Sequence, residues 1–127
     1  MAILNPTLAC ADPLHLADDL DRLVAGGAAM LHIDVMDGHY VPNFCLSFDQ
    51  AAAIKRYCPQ LPMDIHLMVD APFAWLERLR ALAPEYAAFQ ADSTSFGVRF
   101  VQELRMAGIR PGVVLNPSQP LEVLDEL

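Results

Sequence analysis

The chain has 127 residues, and 16 acidic against 8 basic side chains give it a formal net charge of −8. This balance disfavours a polyanionic partner, so we do not expect a nucleic-acid-binding groove. Apolar residues make up 54% of the chain, which suffices for the core of one domain over residues 1–127. There is no apolar run of the roughly 20 residues that cross a bilayer and no basic signal-peptide start, so we expect a cytoplasmic protein without a membrane partner.

Short apolar segments alternate with amphipathic ones along the chain. The first segment, Ile3 to Ala9, predicts a strand, and Asp12 followed by Pro13 predicts the N-cap and first residue of a helix. Leucines at helical spacing continue that helix until Gly26-Gly27 ends it. In chain order, the later predictions are strands over 30–36, 62–69, 86–90 and 110–115, helices over 48–57, 72–82 and 94–107, and a last helix that begins near Pro120.

Alternating strands and helices with short connections predict an α/β fold with a parallel sheet. A doubly wound sheet and a (β/α) barrel both fit this order, but the first strand-to-helix turn, residues 8–12, lacks the GxGxxG of dinucleotide-binding sheets. A complete barrel needs eight strands and roughly 250 residues. About five strands are predicted here, so we expect an incomplete barrel that is either a fragment or an obligate assembler, and hence a homo-oligomer.

Ionisable residues share one face of two neighbouring predicted strands. Because side chains alternate across a strand, His32 and Asp34 lie on the same face, and Asp64 and His66 do so on the next strand. Adjacent strands are about 4.8 Å apart, which brings His32, Asp34 and His66 within reach of one divalent metal ion. The alternative is a set of interior polar groups that satisfy one another, but converging charges on an apolar sheet favour a site.

Several motifs occur in the order found in one enzyme family. The motifs are Pro6-Thr7-Leu8 with Ala11-Asp12, His32-Ile-Asp34-Val-Met36-Asp37-Gly-His39-Tyr-Val-Pro-Asn43, Asp64-Ile-His66-Leu-Met68-Val and Leu115-Asn116-Pro117. With these motifs the chain resembles ribulose-phosphate 3-epimerases from its first predicted strand to its last residue. The most specific part of the resemblance is the segment from His32 to Asn43.

This resemblance implies a TIM (β/α)8 barrel of the ribulose-phosphate-binding type. It also implies interconversion of D-ribulose 5-phosphate and D-xylulose 5-phosphate, in the pentose phosphate pathway, by proton transfer through an enediolate. One divalent ion, Zn²⁺, Mn²⁺, Fe²⁺ or Co²⁺, would stabilise that enediolate. By position, Asp34 would be the acid/base and a metal ligand. The resemblance makes His32 and His66 the other ligands, and it places four residues at the sugar-phosphate substrate: Thr7, Met36, His66 and Met68.

The chain also departs from the family pattern. The family has a second catalytic aspartate and glycine-rich phosphate loops on later strands, and this chain ends before them, so we expect the 127 residues alone to be inactive. Gln90-Ala91-Asp92 stands where the family commonly has His-x-Glu. Three other functions remain open: a related 3-epimerase acting on allulose 6-phosphate, a non-catalytic half-barrel that binds metal or self-associates, and a decarboxylase or aldolase of the phosphate-binding barrel group. The last is weaker, because such enzymes are expected to have lysines at strand ends and the only lysine here, Lys55, falls in a predicted helix.

Overall fold

The computed structural model describes residues 2–125 and 127 and contains one parallel sheet covered by helices. The strands are β1 (Leu31–Met36), β2 (Met63–Met68), β3 (Tyr86–Gln90) and β4 (Arg110–Val114). The α-helices are α1 (Leu16–Ala25), α2 (Phe48–Tyr57), α3 (Leu76–Leu82) and α4 (Gly97–Met106). Short 3-10 turns lie at Leu8–Cys10, Pro72–Trp75 and Leu121–Leu124. Within the described ranges, no helix is long and apolar enough to cross a membrane.

The strand order decides between the two α/β architectures. All pairings are parallel, and the order in the sheet is β1-β2-β3-β4, the same as in the chain. In a doubly wound sheet the chain returns to the first strand and adds later strands on its other side. In a barrel each new strand is added beside the preceding one. The fold is therefore α/β, consistent with part of a TIM barrel, as the sequence predicted.

The prediction of a strand over Ile3 to Ala9 was wrong, so the described sheet has four strands and not five. The segment runs beside β1 but makes a single bridge, between Thr7 and His32. Pro6 accepts a hydrogen bond from the His32 N–H but has no N–H to donate, which interrupts a ladder. The Thr7 side chain then accepts the N–H of Ala9 at 3.1 Å and starts a 3-10 turn.

Several helix boundaries also differ from the predictions. Helix α3 begins at Leu76 and not at 72, because Pro72–Trp75 forms a 3-10 turn, and α4 begins at Gly97 and not at 94. Helix α1 begins at Leu16 with His15 at its N-cap, because Asp12 accepts the N–H of Leu14 in a separate turn. The helix predicted to begin near Pro120 is only a 3-10 turn over Leu121–Leu124 in the described residues. Helix α2 begins as predicted, since Ser47 and Gln50 form a reciprocal capping box.

The core lies between the helices and one face of the sheet. Alternate residues of β1 and β2, among them Ile33, Ile65 and Leu67, are fully buried there. Phe89 of β3 meets Phe100 of α4 edge to face, with ring centroids 5.0 Å apart. Because side chains alternate, the residues between these core positions point to the opposite face, where the site described next lies.

Candidate metal and acid-base site

The register of the first two strands places the ionisable side chains in neighbouring pairs. His32 of β1 is the partner of Asp64 in β2, and Asp34 is the partner of His66. Each strand therefore contributes one histidine and one carboxylate to the same patch of the sheet. The face predicted from alternation is confirmed, and the register adds which residue stands beside which.

Asp34 is the centre of the cluster. Its Oδ1 lies 3.2 Å from His32 Nε2 and 3.1 Å from His66 Nδ1, and its side chain is 11% exposed. Its other oxygen, Oδ2, accepts a hydrogen bond of 2.6 Å from the Thr7 hydroxyl. The two carboxylate oxygens thus face different partners, one the imidazoles and the other the amino-terminal segment.

His32 is oriented by a carboxylate on the neighbouring strand. Its Nδ1 lies 2.8 Å from Asp64 Oδ2, which also accepts a hydrogen bond of 2.9 Å from the Asn5 side chain. The hydrogen bond to Asp64 raises the pKa of His32 against the opposing effect of burial. Burial acts to raise the pKa of Asp64, but the hydrogen bond and charge of His32 outweigh it and lower that pKa. This pairing places the ring proton on Nδ1 and leaves Nε2 facing Asp34.

His66 has a different environment. Burial lowers its pKa, although Asp34 opposes that shift. Its Nδ1 faces Asp34, and its Nε2 lies 3.0 Å from the amide nitrogen of Gln90 in β3. The imidazole therefore favours its neutral form, which is the form that binds a metal ion.

The donor atoms fit a divalent metal ion. One ligand atom from each of His32, Asp34 and His66 lies within 4.8 Å of the others. Tetrahedral zinc at its usual bond lengths has ligand atoms about 3.3 Å apart, close to the 3.1 and 3.2 Å separations from Asp34 to the two histidines. Two imidazoles and a carboxylate are ligands that Zn²⁺, Mn²⁺ and Fe²⁺ accept.

The chain is similar to the proteins of one enzyme family. The Ribulose-phosphate 3 epimerase family matches residues 3–127. The chain belongs to this family.

Individual relatives carry the same name. A ribulose-phosphate 3-epimerase of Bacillus subtilis is 32% identical over 127 residues, which are 100% of this chain and 58% of the relative. One of Helicobacter pylori is 37% identical over 112 residues, 88% of this chain and 50% of the relative. One of Methanocaldococcus jannaschii is 28% identical over 125 residues, 98% of this chain and 52% of the relative. The chain spans about half the length of the curated relatives it matches.

The other residues singled out by the epimerase resemblance border the cluster. Met36 and Met68 are partners in the register at the carboxyl ends of β1 and β2, and both are half-buried. Thr7 reaches the cluster through Asp34. His39, which belongs to the same motif as His32 and Asp34, is exposed in the loop after β1.

A hydrogen-bond network joins the loops at the carboxyl edge of the sheet. The Tyr40 hydroxyl donates to Asp92 Oδ1 at 2.9 Å and accepts from the Asn116 amide at 2.7 Å. Asp37 accepts three backbone N–H groups, from His39, Tyr40 and Asp70. These bonds tie the loop after β1 to the ends of β2, β3 and β4. Neither periodicity nor alternation locates them, because their partners lie in loops far apart in sequence.

Proposed function

We propose that this chain forms the metal-binding half of a 3-epimerase that interconverts D-ribulose 5-phosphate and D-xylulose 5-phosphate. The observation that carries the proposal is the shared position of Asp34 Oδ1, within 3.2 Å of ligand nitrogens on both His32 and His66. Membership of the ribulose-phosphate 3-epimerase family over residues 3–127 supports the reaction. The proposed cofactor is one divalent ion held by these three residues.

Inversion next to a carbonyl needs a group that removes the proton from carbon, and Asp34 is suited to that task. Its Oδ2 lies on the side of Thr7, away from the imidazoles, and the 2.6 Å hydrogen bond fixes its direction. Asp34 thereby divides two functions between its oxygens: Oδ1 serves the metal site, and Oδ2 exchanges the proton. When bound, the divalent ion supplies Lewis-acid stabilisation of the negative charge that develops on the enediolate.

The remaining residues position the substrate. Met36 and Met68 offer adjacent thioethers at the carboxyl end of the strands, where barrel enzymes bind their substrates. The Thr7 hydroxyl and the His66 ring border the same space. We assign these four residues to contact with the sugar phosphate.

A test of this reaction needs a complete barrel. The chain, joined at Leu127 to the part of the Bacillus subtilis relative that follows its matched region, should epimerise D-ribulose 5-phosphate in a coupled assay with added Zn²⁺ or Mn²⁺. D-allulose 6-phosphate as a second substrate separates the two 3-epimerase activities. The 127 residues alone should give no turnover, since inversion needs a second proton-transfer group on the opposite side of the carbon.

Asp34→Asn in the joined protein tests the residue that carries the proposal. It should lower kcat by about 10²–10⁴-fold, because the amide cannot accept the proton. Asp49→Asn, at an exposed position in α2, is the matched control and should leave kcat unchanged. Full activity of the Asp34→Asn protein would contradict the proposal.

The outer strand β4 favours a second property, self-association. Among the described residues, β4 pairs with β3 on one side only, which leaves a row of backbone groups for another strand. We propose that the chain forms a homo-oligomer through this edge. Light scattering should then give a discrete dimer or larger species that a proline at Val113, Val113→Pro, shifts toward monomer. A monomer at high concentration would argue against it.

A further inference from the structure

The carboxamide of Gln90 is buried beside His66, and only its nitrogen has a hydrogen-bond partner. Gln90 ends β3 and is 5% exposed. Its Nε2 lies 3.0 Å from His66 Nε2, whereas its Oε1 is buried without a hydrogen-bond partner in the described structure. A buried amide oxygen without a donor is unfavourable, and the arrangement that gives Oε1 a donor places it against His66 Nε2, with the amide nitrogen where Oε1 now lies.

Such an arrangement follows from a half-turn of the amide, which exchanges its oxygen and nitrogen. With the nitrogen toward the ring, Gln90 donates to His66 Nε2, and the ring proton sits on Nδ1 and points to Asp34. With the oxygen toward the ring, Gln90 accepts the proton of His66 Nε2. In that tautomer the lone pair of Nδ1 faces Asp34, and only then can Nδ1 bind a cation.

We propose that Gln90 is the positioning residue of the metal site, whose Oε1 accepts the Nε2 proton of His66 and holds Nδ1 ready to bind a divalent ion. This inference rests on the metal-dependent function proposed above and deepens it. His32 provides the precedent within the same site, because Asp64 on the adjacent strand bonds its Nδ1 and leaves Nε2 for the cation. Each histidine therefore has an orienting partner on the next strand, a carboxylate for His32 and a carboxamide for His66.

Hydrogen bonds fix the backbone of Gln90. The Ser93 hydroxyl and N–H both donate to the Gln90 carbonyl, at 2.8 and 3.0 Å, and the next residue, Ala91, donates to β4 at 2.9 Å. An exchange of the amide oxygen and nitrogen leaves the shape of the side chain unchanged and needs no additional space. The backbone is thus held, and both orientations of the amide fit the same position.

The test compares the zinc affinity of the 127-residue chain with that of single variants, by competition with a chelating dye. Gln90→Leu and Gln90→Met remove the acceptor and should weaken zinc binding by about 10–100-fold. Gln90→Glu, whose carboxylate can only accept, should bind zinc at least as tightly as the unaltered chain. Gln102→Leu, at an exposed position in α4, is the matched control and should change nothing.

A spectroscopic measurement separates positioning from a packing role. In zinc-loaded protein labelled with ¹⁵N-histidine, the Nε2 proton of His66 should exchange slowly in the unaltered chain and in Gln90→Glu, and rapidly in Gln90→Leu. Thermal unfolding of each metal-free variant checks that it folds, and Gln90→Met, unbranched like glutamine, serves as the second apolar variant.

Three results would overturn the inference, and they are distinguishable from one another. If Gln90→Leu and Gln90→Met bind zinc as tightly as the unaltered chain, the role of Gln90 is wrong while the metal site stands. If Gln90→Glu is as weak as the apolar variants, the amide acts as a donor and not as an acceptor. If the unaltered chain has no zinc site that His66→Ala removes, the metal-dependent function itself fails, and the role of Gln90 fails with it.

Discussion

The two faces of β1 and β2 are built by alternate residues of the same strands, but one face is apolar and the other carries ionisable side chains. On the helix side, Ile33, Ile65 and Leu67 are fully buried and have no polar atoms to satisfy. On the other side, the His32 and His66 side chains are 25% and 14% exposed and belong to a connected set of hydrogen bonds. Groups of this kind are costly on a sheet unless they are paired. The helix side therefore stabilises the fold, and the opposite side holds the polar cluster that we propose as the metal site.

The sharpest way to break this comparison is to shorten a side chain on the helix side. Ile65→Ala should lower the free energy of unfolding by about 2–5 kcal/mol, because it leaves a cavity under a fully packed residue. Chemical denaturation measures this loss. Zinc affinity at a temperature where the variant is folded should be unchanged, and a parallel loss of affinity would mean that the two faces are not independent.

Removal of the carboxylate that orients His32 tests the opposite face. Asp64→Ala should weaken zinc binding by about 10–100-fold, because the ring loses the partner that places its proton on Nδ1. A competitive titration with a chelating dye measures the change. Asp19→Ala, a carboxylate on α1 that pairs with Arg22, is the control away from the site. Unaltered affinity in Asp64→Ala would show that the cation does not need an oriented His32.

A substitution in the loop after β1 should have the smallest effect on stability, and that effect should depend on pH with a defined sign. Burial acts to raise the pKa of Asp37, but hydrogen bonds from the N–H groups of Asp70, His39 and Tyr40 outweigh it and hold that pKa below 3.8. A lowered folded-state pKa contributes stability that is present above pH 3.8 and is lost as the pH falls through the folded value.

Asp37→Asn should therefore remove about 1 kcal/mol at pH 7, an amount limited by the partial exposure of the group. The difference from the unaltered chain should shrink as the pH falls below the ordinary carboxyl range. Denaturation at pH 7 and pH 3 measures it, and a difference that is constant or grows toward low pH would contradict the assignment.

The sequence predicted much of this molecule because hydrophobic period and side-chain alternation are local properties. Alternation alone placed His32, Asp34 and His66 on one face, and the structure brings their ligand atoms within 4.8 Å of one another. Three α-helices, all four strands of the sheet and the end of α1 at Gly26 agree with the predictions within a few residues. The catalytic and substrate-contacting roles of the named residues stay predictions.

The failures have a different physical origin, because they depend on contacts between distant segments. The segment from Ile3 to Ala9 has the composition of a strand, but the missing N–H of Pro6 allows only one bridge to β1. The pairing of His32 with Asp64 follows from the register, which alternation does not fix. The contact between Gln90 and His66 could not be predicted for the same reason, because it depends on how β3 pairs with β2.

The most direct test of the account is a zinc-soaked crystal of this chain examined by anomalous scattering at the zinc edge. The account predicts one strong peak on the non-helical face of the sheet, within bonding distance, about 2.0–2.2 Å, of His32 Nε2, an Asp34 oxygen and His66 Nδ1. A peak elsewhere, or none at this face, would contradict the assignment of these three residues as the metal site.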